Sequence, residues 1–238
     1  MTSLYMPPQF DCRDIALAQA LLREYPLAQL VSVSAAGEPF VSPLPLETLT
    51  EGFALSGIPA ENGGDEQGGD EEGGDEEGGA SDMPWQLLGH LANANPQVAL
   101  LNESRRALVT VLGPQGYMSP SVYPDLQRVP TWNYITLHAR VRVAPVTSAA
   151  EKDALLKSLI GSHEPAYAKQ WRGLPERYTE AMLRAITGFV FTVEDWQLKV
   201  KINQHRPEGR EALRAQCAAG SPLAQGLVAW MDRWEQRA

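Results

Sequence analysis

Hydroxyl, indole and amide groups crowd into one short region of the chain. Tyr117, Ser119, Ser121 and Tyr123 alternate through YMSPSVYP (117–124), and Trp132 and Asn133 follow in VPTWNY (129–134). A core strand would be mostly Val, Ile and Leu, because branched apolar side chains fill a pleated, half-buried surface. Donors set beside flat rings instead suit a planar ligand that forms hydrogen bonds. Further along, Lys199, Lys201 and Arg206 supply positive charge of the kind that meets a phosphate. The competing reading is plainer: the prolines and aromatics pack a long loop over the end of a barrel.

Other chemistries find little footing. Ser119 and Ser121 lie in no GxSxG elbow, and no acid is placed to orient His138 for a hydrolase. His90, His138, His163 and His205 fit no metal-ligand spacing. Neither GxGxxG after a strand nor GxxxxGK[ST] occurs, which removes the usual signals of nucleotide binding. Cys12 and Cys217 lie near opposite ends of the chain without a CxxC, and read as buried, inert thiols.

The 238 residues, 44% of them hydrophobic, suffice for one sizeable core. No apolar run approaches the roughly 20 residues that cross a bilayer, and the first residues carry no basic leader. A cytoplasmic protein with no membrane attachment is expected. The net charge of -9 is unevenly spread. Residues 61–82, ENGGDEQGGDEEGGDEEGGASD, hold ten of the 29 acidic side chains and none of the 20 basic ones, so the rest of the chain is nearly neutral. With little apolar surface and many like charges, this repeat reads as a solvated, mobile insertion.

The elements that must position the candidate residues follow from periodicity. Asp11 is placed to cap a helix from about Cys12 to Tyr25, ended by Pro26. LAQLVSVS (27–34) and PFVSPLPLE (39–47) read as a hairpin whose second strand, carrying Pro43 and Pro45, belongs at an edge. EGFALSG (51–57) and PWQLLGHL (84–91) read as strands pairing across the acidic insertion. NANPQVALLNES is a short helix and ALVTVLG (107–113) a strand. In YITLHARVRVAP, Ile135, Leu137, Ala139, Val141 and Val143 alternate with Tyr134, Thr136, His138, Arg140 and Arg142, giving one apolar and one polar face. Ser148 and Glu151 form a capping box for a helix to about Gly161, and PERYTEAMLRAIT is another helix. GFVFTVEDW (188–196) and QLKVKINQ (197–204) read as two strands, and the tail as two helices split at GSP (220–222). The expected class is mainly β with peripheral helices (α+β), a closed or nearly closed antiparallel barrel over residues 1–207 and a helical extension over 208–238.

Taken in order, LYMPPQF (4–10), GHLANANP (89–96), GPQGYMSPSVYP (113–124), VPTWNY (129–134), LHARVRV (137–143) and AITGFVFTVEDWQLKVKINQHRP (185–207) resemble the PaiB-type FMN-binding negative transcriptional regulator family. That resemblance implies an FMN-binding split β-barrel of antiparallel Greek-key type, similar to pyridoxamine-phosphate oxidase and flavin reductases. It further implies a homodimer with FMN in a groove between subunits. By the same resemblance, His90 and Asn93 fall where the FMN phosphate is approached, and Trp132, Asn133 and Lys201 near the isoalloxazine groove. Tyr117, Ser119, Ser121, Lys199, Gln204 and Arg206 complete the set of cofactor-binding candidates.

The chain departs from the family pattern in places. Asn93 stands where the family has Arg, Ser42 where it has His, and Asn203, Gln204, His205, Arg206 where it has Ser-Gln-Asn-Arg. Loss of a guanidinium removes a charge-assisted phosphate contact worth roughly 1.5 to 3 kcal/mol, so weakened FMN affinity is expected. The function implied by the resemblance is that of a flavin-binding regulator. The alternatives are a flavin-dependent oxidoreductase and a regulator that has lost its cofactor, acting through a protein partner. Direct DNA binding has no sequence support: there is no basic recognition helix, and the acidic repeat would repel phosphates.

Overall fold

An eight-stranded sheet in which every pairing is antiparallel organises the computed structural model, which describes residues 4–49, 85–125 and 127–237. In chain order come β1 (Asp11–Cys12), α1 (Ile15–Glu24), β2 (Leu27–Val33), β3 (Pro39–Pro45), β4 (Glu47–Thr48) and β5 (Gln86–Ala92). Next are α2 (Gln97–Ser104), β6 (Arg106–Met118), β7 (Thr131–Val146), α3 (Ala149–His163), α4 (Ala168–Arg172) and α5 (Glu176–Arg184). The chain closes with β8 (Ile186–Lys201), α6 (Arg210–Ala218) and α7 (Pro222–Glu235). The spatial order is β3-β2-β6-β7-β8-β5-β4, with β1 paired to β8. The acidic repeat and the expected strand at 51–57 lie outside the described residues.

The alternation in β7 sets the centre of this arrangement. Ile135, Leu137, Ala139, Val141 and Val143 are all buried, and so are their inward neighbours Val109 and Val111 on β6 and Leu198 and Val200 on β8. Leu21 and Leu22 of α1 join this core from one side. Leu213, Cys217, Leu227, Trp230 and Met231 of the two C-terminal helices join the same core. A smaller cluster of Leu88, Val146, Leu155 and Val190 sits beneath α3 on the other face of the sheet.

Two local expectations need correction. Asp11 does not cap α1: it is drawn into β1, opposite Lys199, and Asp14 takes the role, accepting from the amides of Ala16 (3.0 Å) and Leu17 (3.2 Å). The two strands expected at 188–204 are one continuous strand, β8. Its polar stretch is a bulge at Glu194, where the register against β7 shifts between Arg140 and Val141. Glu194 there meets Arg142 (3.6 Å) and Arg106 (3.9 Å). The hairpin β2–β3, the edge position of β3 and the Ser148–Glu151 cap are as the sequence indicates.

Candidate functional site

The outer face of β6, β7 and β8 at one end of the sheet gathers much of the chemistry. Register places Tyr117 opposite Trp132, and Gln115 and Lys201 on either side of Tyr134, with Lys199 opposite Thr136. Period-two alternation turns Trp132, Tyr134 and Thr136 away from the core. The Tyr117 and Trp132 rings meet edge to face, 6.4 Å apart at 77°, and both side chains remain half exposed. Beside them lies a groove of ≈ 740 Å³ whose lining includes Gln115, Tyr117, Trp132, Gln216, Cys217 and Leu223. Helices α6 and α7 therefore border this wall without closing it.

The lysines next to the wall are ordered by aromatic and hydroxyl groups. Lys201 Nζ donates to Thr131 Oγ1 (2.7 Å) and lies 5.6 Å from the Tyr134 ring centre. Lys199, only 5% exposed, donates to the Tyr5 carbonyl (2.9 Å) and lies 5.4 Å from the Tyr5 and Tyr134 rings. Burial pushes the Lys201 ammonium below its usual pKa, the Tyr134 hydroxyl opposes that shift, and Lys199 adds to it. The N-terminal stretch crosses this face as a strap. Leu4 N donates to Gln197 Oε1 (3.2 Å), Gln204 Nε2 to the Gln9 carbonyl (2.9 Å), and Phe10 stacks edge-on against His205.

The other candidates are placed differently. Asn133 lies opposite Gly116, is 1% exposed, and neither of its side-chain amide atoms has a hydrogen-bond partner. Its parity is that of Ile135, so it points inward. Ser119 caps the 3-10 turn Pro120–Val122, with its Oγ 2.8 Å from Ser121 Oγ, and its amide is held by Gln216 Oε1 (3.2 Å). Gln204 braces its own turn through Val200 and Ile202. Arg206 is exposed, 4.0 Å from Glu208.

His90 and Asn93 stand at the far end of β8. His90 pairs with Gly188, about 40 Å of extended chain from Lys201 at roughly 3.3 Å per residue. Burial pushes the His90 imidazole below its usual pKa, and its Nδ1 has no partner. Asn93 is fully engaged in its turn: Nδ2 donates to the Arg184 carbonyl (2.7 Å) and Oδ1 accepts from Thr187 Oγ1 (2.7 Å). Within one chain the candidates thus fall into two groups. Tyr134, Thr131 and Tyr5 are site members that sequence reasoning did not single out; Tyr134 was within reach, being two residues from Trp132 on the same face. No cluster of metal-ligating side chains occurs among the described residues, and Cys12 and Cys217 are buried free thiols whose pKa values burial raises.

Comparison with known proteins agrees with this architecture. The family described as "Putative FMN-binding domain" matches residues 4–195. The Bacillus subtilis (strain 168) protein "Protease synthase and sporulation protein PAI 2" is 35% identical over 133 residues, covering 53% of this chain, and the chain spans 61% of that relative's length. Among solved structures, the flavocytochrome Anf3 from Azotobacter vinelandii superposes with a TM-score of 0.55 at 16% identity, over 84% of this chain and 73% of that one. The FAD and heme binding protein from Mycobacterium smegmatis gives 0.53 at 16% identity, over 80% and 73%. These two likenesses speak for the fold. The family match ends before α6 and α7, so most of the residues lining the groove beside Tyr117 and Trp132 lie outside it. By the extent of that match, the chain belongs to the FMN-binding domain family, built on an antiparallel split barrel.

Proposed function

We propose that this chain binds a flavin, FMN in the first instance, as a homodimer with a regulatory role. The observation that carries the reading is the continuous outer wall of Tyr117, Trp132 and Tyr134 with Lys199 and Lys201 beside it. Half-exposed rings suit a flat heterocycle, and ammonium groups without carboxylate partners suit its phosphate. The residues present therefore fit the group. When bound, a flavin would supply a redox-active ring. Trp132 and Tyr117 would flank that ring, Lys201 and Thr131 would meet the charged end of the ligand, and the Tyr5 strap would keep water from Lys199.

The dimer is supported by the sheet face over β3, β2 and β6. Val31 lies opposite both Val41 and Leu108, and Val33, Val41 and Leu112 are exposed. An apolar strip of this kind marks an interaction surface. A regulatory role draws on kinship with the Bacillus protein named for protease synthase and sporulation.

Absorption and flavin fluorescence of the purified protein, with light scattering for its mass, test this reading. Quenching of added FMN by a dimer is the expected result. A monomer that leaves the fluorescence unchanged refutes it, and bleaching of the bound flavin by a reduced nicotinamide redirects it to an oxidoreductase.

A further inference from the structure

Positive charge on the outer wall lacks a counter-ion. Among the described residues, no carboxylate lies within ion-pair distance of Lys199 or Lys201, whereas most other basic groups are matched. Each ammonium has three protons, and the hydrogen bonds to Tyr5 and Thr131 engage one apiece. Asp11 lies opposite Lys199 in the β1–β8 ladder, with its Oδ2 held by Arg13. Glu208 is already shared by Arg128 (3.2 Å) and Arg206 (4.0 Å). Lys201 is thus the least compensated of the group, and His205 beside it is pushed to lower pKa by burial first, then by Arg206 and Lys201. A half-buried cation in such a setting is stabilised by an anion from outside.

The opposite corner is the reverse case. Both polar ends of the Asn93 side chain are engaged, and burial disfavours the charged form of the His90 imidazole. Two cations of the adjoining α3 and α5 are occupied: Arg184 by Glu180 (3.4 Å), and Lys152 by the carbonyls of Leu183 (2.7 Å) and Ile186 (3.1 Å). Among the described residues, this corner offers a dianion no cation comparable to Lys201.

We infer that Lys201, backed by Lys199 across Tyr134, is the anion-binding end of the site and holds the phosphate monoester of the ligand, in place of the His90–Asn93 corner. The ring wall reaches it directly, because Trp132 and Tyr134 are alternate residues of β7 and Lys201 is the cross-strand neighbour of Tyr134. The inference rests on the flavin reading only for the identity of the molecule that carries the phosphate.

The test is to titrate riboflavin, FMN and inorganic phosphate into the wild type, Lys201→Met, Lys201→Gln and Asn93→Ala, with thermal unfolding to confirm that each variant folds. A charge-assisted contact predicts that wild type prefers FMN to riboflavin by roughly 10- to 100-fold. Both Lys201 variants should bring FMN affinity down to that of riboflavin, abolishing the preference, and inorganic phosphate should compete with FMN but not with riboflavin. Equal binding of FMN and riboflavin by wild type, or a preference that survives in the Lys201 variants and vanishes in Asn93→Ala, overturns the inference while leaving flavin binding intact. If no flavin binds at all, the functional reading fails, and phosphorus-31 line broadening of inorganic phosphate decides the lysine site separately. Broadening lost in Lys201→Met supports it; absence of broadening in wild type overturns it.

Discussion

Tyr117 and Trp132 face each other across the β6–β7 ladder with ring centres 6.4 Å apart at 77°, both half open to solvent. A pair of this geometry is worth about 0.5 to 1.5 kcal/mol beyond its buried area. Trp132→Ala should lower stability by about 1 kcal/mol and reduce FMN affinity at least tenfold, whereas Trp132→Phe should keep most of both. Urea unfolding and fluorescence quenching read the two effects separately, and a Trp132→Ala protein with unchanged affinity removes the wall from the site.

Lys152 is a structural cation. Its buried ammonium donates to the carbonyls of Leu183 and Ile186, where α5 ends and β8 begins, with favourable dipole orientation. Lys152→Met should cost about 2 to 3 kcal/mol, because the two carbonyls lose a charged donor. A shift in the urea midpoint measures it, and a change below about 0.5 kcal/mol would contradict the arrangement.

His90 predicts a pH dependence. Burial lowers its pKa below 6.5, so between 6.5 and the folded value the unfolded chain binds more protons than the folded one. Stability is full above that window and falls as the pH drops through it; His205, shifted the same way, adds to the slope. Thermal unfolding from about pH 7 to about pH 5 should show the loss, with a shallower slope in His90→Gln. Identical slopes in the two proteins would mean that His90 does not contribute.

Trp230 ties the C-terminal helix to the barrel. It is fully buried in the main core with Leu227 beside it, and Arg233 lies over its ring at 5.1 Å. Trp230→Ala should cost roughly 3 to 5 kcal/mol, and Trp230→Phe much less. If α7 were an independent appendage, neither substitution would move the barrel's unfolding transition.

How much of this was legible depends on whether the cause is local. The β7 faces could be read because one-sided burial leaves a period of two, and the lysine alternation of β8 for the same reason. Asp11 and Asp14 both precede α1, and only the non-local pairing of β1 with Lys199 decides which one caps it. The polar run at Glu194 resembles a turn; two arginines from other strands make it a bulge. At the site, composition exposed Tyr117, Trp132 and Lys201, but Tyr5 reaches Lys199 across 194 residues, which no spacing rule detects. Asn133 looked like a ligand donor beside Trp132, yet adjacent strand residues face opposite ways.

The prolines of β3 have an effect beyond marking an edge. Pro39, Pro43 and Pro45 share one parity, and none has an amide hydrogen. Backbone donors alternate between the two sides of a strand, so the side turned away from β2 keeps only Val41 as a donor. β5 comes near, with the Gly89 backbone close to Leu44, Leu46 and the Pro45 carbonyl, but no ladder joins the two strands. Along the proline stretch the seam is therefore short of backbone donors, and the chain takes up its ladder to β5 only past Pro45, at Glu47 and Thr48.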